Sequence, residues 1–269
     1  MPEVTSTRSE RVRAIRGLSR RSVREKTGRF LAEGPQPVRE AVLHRPDHVL
    51  DLYLTGAAAA RHVDIAGAAE AAGVRLHEVS EDVLAAMCDT PAPQGLAAVC
   101  RVLTGSLDAV LEARPRLLCV LTNVRDPGNA GTVVRAADAA GADAVLVAGD
   151  SVDVWGPKVV RSTAGSHFHL PVVTGLDVEE TLTRLRDNGI RLFATDGAGT
   201  TLLTDVDLLP AHAWVTGNEA WGMSEQTRSW CDDVVRVPIY GAAESLNLAM
   251  AATVCLYASA VAQNRPSGR

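Results

Sequence analysis

Three separated stretches, 123–135, 216–223 and 237–247, together carry polar side chains of the kind a group-transfer site needs, among them Arg135, Glu219, Ser245 and Asn247. Arg135 is followed by Ala136, Ala137, Ala139 and Ala140. A helix here projects one guanidinium from a face of small side chains, and such a fork suits a phosphate or an oxyanion. The plain alternative is a surface ion pair with Asp126 or Asp138. Gly217 leaves a strand and lets a flat ligand approach the backbone, and Glu219 follows before a second glycine, Gly222. Ser245 and Asn247 stand at the start of an apolar run, where helix capping alone would explain a serine. An amide at that place needs partners if it is buried. Ser224, followed by Glu225 and Gln226, reads as a helix N-cap rather than a reacting group.

The elements that must position these residues are strands predicted at 117–122, 144–148, 167–173, 192–194, 213–216 and 234–237, with helical patterns between most of them. This alternation implies an α/β fold: a parallel sheet covered on both faces, with the ligand site at the carboxyl ends of its strands. All three stretches fall there. The run 246–262 carries no charged residue, so it must be buried in the domain or in a subunit interface. A strand, a glycine turn, a helix and a second strand ending at Asp150 also satisfy part of a dinucleotide-binding fingerprint. Gly128 and Gly131 give G-x-x-G, however, and Pro127 and Asn129 occupy the turn that should admit a pyrophosphate, so a nicotinamide enzyme is disfavoured. Residues 30–102 read as a smaller α/β domain. Its helices are predicted at 37–44, 65–72 and 81–87, its strands at 49–54, 74–79 and 95–102.

The chain of 269 residues has a net charge of −5, which hides an asymmetry. Between Arg8 and Arg29 nine Lys/Arg face two Asp/Glu, so this window is +7 and the remainder −12. A basic segment on an acidic body is an electrostatic footprint for a polyanion. Val12, Ile15 and Leu18 are spaced as the docking face of a helix, leaving Arg16, Arg20, Arg21 and Arg24 to meet phosphates without reading bases. A solvated basic face is the bland alternative. Five cysteines without a Cys-x-x-Cys pair argue against disulfides and a zinc site. His167 and His169 flank Phe168 on one face of a predicted strand, with no acid or cysteine close in sequence, and no metal is expected. The absence of a long apolar run or a signal-like N-terminus leads us to expect a cytoplasmic protein.

In order and spacing, Asn123-Val-Arg-Asp-Pro-Gly-Asn-Ala-Gly-Thr-Val-Val-Arg135, Thr216-Gly-Asn-Glu-Ala-Trp-Gly-Met223 and Val237-Pro-Ile-Tyr-Gly-Ala-Ala-Glu-Ser-Leu-Asn247 resemble the three motifs of the SpoU (TrmH-like) family of the SPOUT superfamily. The likeness is strong over about half the chain. It implies transfer of a methyl group from S-adenosylmethionine to a ribose 2′-hydroxyl of RNA, by an α/β-knot domain with a deep trefoil knot. Position by position, it places Asn129, Arg135, Glu219, Ser245 and Asn247 in the catalytic set, and Gly217, Val237, Ile239 and Leu246 around the methyl donor. Val237 stands where isoleucine is more usual, and Asn218 where alanine or serine is. More softly, Arg29–Gly34 and Asp89–Gly95 resemble landmarks of a ribosomal-protein-like RNA-binding domain. The expected organisation is therefore an RNA-binding domain over 1–103, a linker over 104–116 and a methyltransferase domain over 117–269, assembled as a homodimer. Ribosomal RNA is favoured over transfer RNA because of the separate N-terminal domain. A non-catalytic RNA-binding protein on the same fold is the alternative. Arg135 is either a base whose pKa desolvation lowers, or a clamp on phosphate and the developing alkoxide.

Overall fold

The structure, a computed structural model, describes residues 6–264. It divides into two compact units: Met1–Leu103 with Asp153–His169, and Thr104–Val152 with Leu170–Arg269.

The first unit runs α1 (Glu10–Gly17), α2 (Arg21–Thr27), β1 (Arg29–Glu33), α3 (Pro35–His44), β2 (Val49–Thr55), α4 (Gly56–Arg61), α5 (Val63–Ala71), β3 (Arg75–Val79), α6 (Glu81–Met87) and β4 (Leu96–Arg101). Its sheet has the order β1-β4-β2-β3, parallel only between β2 and β3. Ser9 caps α1 through the Val12 N–H, and Val12, Ile15 and Leu18 are buried in one cluster with Val83, Leu84 and Met87, as their spacing predicts. The basic segment is nevertheless two helices. Arg24 Nη1 donates to the carbonyls of Leu18 at 2.6 Å and Ser19 at 2.8 Å, acceptors that a continuous helix would use for its own ladder.

The second unit begins with α7 (Leu107–Glu112), β5 (Leu117–Thr122), α8 (Pro127–Ala139) and β6 (Ala144–Ala148). The α7 helix lies within the segment expected to be a linker; Ser106 caps it, and it buries Leu107 and Val110 against Leu118 and Leu182. The chain then contributes Asp153–His169, with α9 (Pro157–Ser162), to the first unit, where Phe30 meets Trp155 and Phe168 at ring-centroid distances of 5.0 and 6.0 Å. It resumes the second unit with β7 (Val172–Leu176), α10 (Val178–Asp187), β8 (Arg191–Thr195), β9 (Thr201–Leu202), β10 (His212–Thr216), α11 (Glu225–Ser229), β11 (Asp233–Arg236) and α12 (Leu248–Gln263). The sheet order is β7-β6-β5-β10-β8-β11-β9, and every pairing is parallel. Leu118 and Val120 point into a cluster with Leu182 and Leu185 of α10, while α8 and α12 pack on β5.

The strand expected over 167–173 is a correction. Gly165 takes φ 105° and starts a 3-10 turn, Ser166–Phe168, so β7 begins only at Val172, after Pro171. His167 and His169 therefore do not share a strand face. His167 is buried, with Nδ1 3.0 Å from Thr163 Oγ1. Burial pushes its imidazole down to about 4, against the raising influence of the Val154 carbonyl and Asp153. The unfolded chain binds this proton near pH 6.5, so the neutral ring contributes its full stability above that pH and loses it as pH falls toward 4, by roughly 3 kcal/mol. Urea melts at pH 7 and pH 4 should show a smaller acid loss in His167→Gln than in the unmodified protein; equal losses would contradict this.

Candidate active site

The three sequence stretches meet through side-chain hydrogen bonds at the carboxyl ends of the second unit's strands. Asp126 caps α8, accepting the Asn129 N–H at 2.7 Å, with Pro127 at the first helical position. Glu219, in the loop after β10, accepts the backbone N–H of Arg125 at 3.1 Å and of Asp126 at 2.9 Å, and Asn129 Nδ2 donates to the same carboxylate at 3.4 Å. Burial alone would raise the Glu219 carboxyl; the donors from Arg125, Asp126, its own backbone and Asn129 outweigh it and hold the group below the usual carboxylate range. On the other side, Asn247 Nδ2 donates to Asn129 Oδ1 at 3.1 Å while Asn247 Oδ1 caps α12 through the Ala249 and Met250 N–H groups. The amide of Asn129 is thus oriented from both ends, by a carboxylate from one motif and an amide from another.

Asn218 adds a second tie. Its Nδ2 donates to the Asn123 carbonyl at 2.9 Å and its Oδ1 accepts the Ala220 N–H at 2.8 Å, functions that alanine could not supply. Gly217 has a different reason from the one its position suggests. A Cβ there would lie 2.6 Å from the Gly222 carbonyl and 2.7 Å from the Met223 nitrogen, so the close approach it permits is made by the chain's own backbone.

Beside this network is a cavity of about 420 Å³ lined by Gly217, Glu219, Val237, Ile239, Ser245 and Leu246 among others. Every residue expected around the donor therefore lines one cavity. Ser245 is exposed there and does not cap α12, a role taken by Asn247. Asp196 and Glu244 also line it with Glu219; Arg236 lines it too, and Arg228 pairs with Asp196 at 3.4 Å. Sequence reading missed Thr195 and Asp196, although they directly follow the predicted strand 192–194 at the same sheet edge.

Arg135 stands apart from the cavity. It is exposed on α8, six residues and therefore about 9 Å of helix rise beyond Asn129. It makes no hydrogen bond or ion pair among the described residues, and Asp126 is engaged in capping. Asp150, the acid that a dinucleotide reading would have used, pairs with Arg125. In the first unit, Arg16, Arg20 and Arg21 are exposed, with Arg21 paired to Glu25 at 2.8 Å. Arg24 departs from that set. Its side chain is 6% exposed and bound to Asp153 at 2.5 Å, so it holds the fold rather than offering a charge to RNA.

The family described as "SpoU rRNA Methylase family" matches residues 116–257, which contain all three motifs. The chain belongs to that family. A second description, "MRM3-like substrate binding domain", matches residues 9–98. Among SpoU relatives, a Bacillus subtilis (strain 168) protein named 23S rRNA (guanosine(2553)-2′-O)-methyltransferase RlmP is 33% identical, over 96% of this chain and 98% of its own length. A Streptomyces viridochromogenes protein named 23S rRNA (uridine(2479)-2′-O)-methyltransferase is 34% identical over 94% of this chain and 88% of its own. The crystal structure of the SpoU methyltransferase AviRb from Streptomyces viridochromogenes in complex with AdoMet superposes with a TM-score of 0.81 at 32% identity, covering 97% of this chain and 100% of that one.

Proposed function

We infer that this SpoU-family chain is an S-adenosylmethionine-dependent methyltransferase acting on a ribose 2′-hydroxyl of ribosomal RNA. The observation that carries the reading is the continuous hydrogen-bonded link Glu219–Asn129–Asn247, which joins all three motifs at the edge of the cavity. Full-length relatives named as 23S rRNA 2′-O-methyltransferases, one for a guanosine and one for a uridine, favour large-subunit RNA and leave the base open.

The cavity suits the donor on its own chemistry. Val237, Ile239, Leu246 and Leu248 supply an apolar wall, and Glu219 and Glu244 supply negative charge for a cationic ligand. S-adenosylmethionine supplies an electrophilic methyl group when bound. The chain's own task is to bring the ribose oxygen into line with it and exclude water. Asn129, fixed by Glu219 and Asn247, is a positioning residue for the loop that opens α8. Ser245 offers a hydroxyl at the cavity edge. Arg135, exposed and without a carboxylate partner among the described residues, acts as the clamp: its fork holds an RNA phosphate and stabilises the developing alkoxide while a phosphate oxygen or water takes the proton.

Assembly completes the site. The α12 helix leaves Met250, Val254, Tyr257 and Val261 on one face, 52%, 41%, 46% and 53% exposed, a stripe with no charge to solvate it. In this reading a second copy covers it, in a two-fold dimer that sets Arg135 of one subunit against the cavity of the other. Its separation from the cavity along α8 supports this arrangement. The segment after β11, whose α12 packs on α8, β5 and β10, forms a trefoil knot in this reading. No helix among the described residues is long and apolar enough to cross a membrane.

The first unit presents the RNA. Replacing Arg16, Arg20 and Arg21 with glutamine should weaken RNA binding and lower the slope of log K against log salt by about 0.7–0.9 for each phosphate no longer neutralised. Arg24→Gln should instead destabilise the unit, because it leaves Asp153 without its partner. An unchanged salt slope in the triple variant would remove these arginines from the RNA interface. Methyl transfer from labelled donor to ribosomal RNA, read as a 2′-O-methylated nucleoside, tests the reading as a whole.

A further inference from the structure

Glu40, His44 and His169 converge in the first unit, and none of them belongs to the cavity or the three motifs. Glu40 and His44 are four residues apart on α3 and so share a helix face. His169 comes from 129 residues further along than Glu40, just past the 3-10 turn that Gly165 opens. The turn reaches α3 only because residue 165 is glycine: a Cβ there would lie 2.4 Å from Glu40 Cγ. Glu40 Oε2 is 3.1 Å from His169 Nε2 and 3.3 Å from His44 Nε2, and the three ligand atoms all lie within 4.8 Å of one another. The other carboxylate oxygen of Glu40 is held by Gln36 Nε2 at 2.5 Å, which orients Oε2 toward the two rings.

We propose that Glu40, His44 and His169 form a binding site for a zinc-like divalent transition-metal ion. Two imidazole nitrogens and one carboxylate oxygen are a zinc donor set; magnesium and calcium prefer all-oxygen shells. Ligands at roughly 2.05 Å from a tetrahedral ion stand about 3.3 Å apart, close to the spacing from Glu40 to each histidine. The Gln36 contact is the supporting hydrogen bond that a ligating carboxylate ordinarily has. His44 is half exposed, so the fourth position faces water. The ion would tie α3 to the turn before β7 and stabilise the first unit.

The test uses the full-length protein stripped with chelator and titrated with Zn2+ in a calorimeter, with Co2+ absorption as a second readout. The unmodified chain should bind one ion, give a tetrahedral Co2+ spectrum and melt at a higher temperature with Zn2+. His44→Gln and Glu40→Gln, tested separately, should each weaken binding at least about tenfold and abolish the spectrum and the melting shift. His44 is surface-exposed, so His44→Gln keeps the test valid if Glu40→Gln fails to fold. Zn2+ affinity unchanged in folded His44→Gln, or no binding by the unmodified chain, would overturn the site. Excess Mg2+ displacing Zn2+ would overturn the assignment of metal class.

Discussion

Arg135→Ala is expected to lower single-turnover methyl transfer by at least about 10²–10³-fold, equivalent to roughly 3–4 kcal/mol of transition-state stabilisation. Affinity for S-adenosylmethionine should stay within a few-fold, because Arg135 is absent from the cavity lining. Arg135→Lys should be severely impaired too, since a point charge cannot reproduce a planar fork on phosphate. Stability should hardly change, as the side chain is exposed and without a partner among the described residues. Rapid turnover by the alanine variant would remove Arg135 from the chemistry; a matching loss of donor binding would relocate it to the donor pocket.

The second large effect is recovery. Ile239→Trp should block the cavity, which Ile239 lines from an exposed loop, and should be inactive alone, as should Arg135→Ala. Exchanged into heterodimers carrying different tags, the two inactive chains should regain roughly half of the unmodified activity per dimer, because one composite site is then intact and the other doubly damaged. Gly217 is unsuitable for this experiment, since any side chain there would strike the Gly222 backbone. A verified, folded heterodimer that stays inactive would mean that each chain carries a complete site. An active monomer would exclude the dimer requirement. Val254→Asp and Tyr257→Asp supply that monomer test by charging the exposed stripe of α12.

The catalytic half was legible where periodicity and turn chemistry agreed. Strands 117–122 and 144–148 match β5 and β6, and the parallel sheet follows from the alternation of elements. Asn247 is expected to need partners if buried; it is exposed, and it still bonds Asn129 and two backbone N–H groups. The misreadings have a common cause: a local pattern decided by contacts distant in sequence. The apolar run 167–173 looks like a strand, yet Gly165 and Pro171 turn the chain, and Phe168 packs on Phe30. His169 has no acid close in sequence, and its partner Glu40 lies far back in the chain. Arg24 carries the same charge as Arg20 and Arg21, and its contacts with Asp153 and the Leu18 and Ser19 carbonyls distinguish a buried structural arginine from exposed ones. Gly217 reads as a place for a flat ligand to approach the backbone; what a side chain there would strike is the Gly222 backbone, a contact that composition could not reveal.

The most direct test of the central claim is to incubate the purified enzyme with ribosomal RNA and methyl-labelled S-adenosylmethionine, digest the RNA to nucleosides and locate the label by mass spectrometry. The expected product is a single 2′-O-methylated nucleoside from large-subunit RNA, with label absent when Arg135→Ala replaces the unmodified chain. Label on a base, or no transfer by a folded enzyme that binds the donor, would contradict the account.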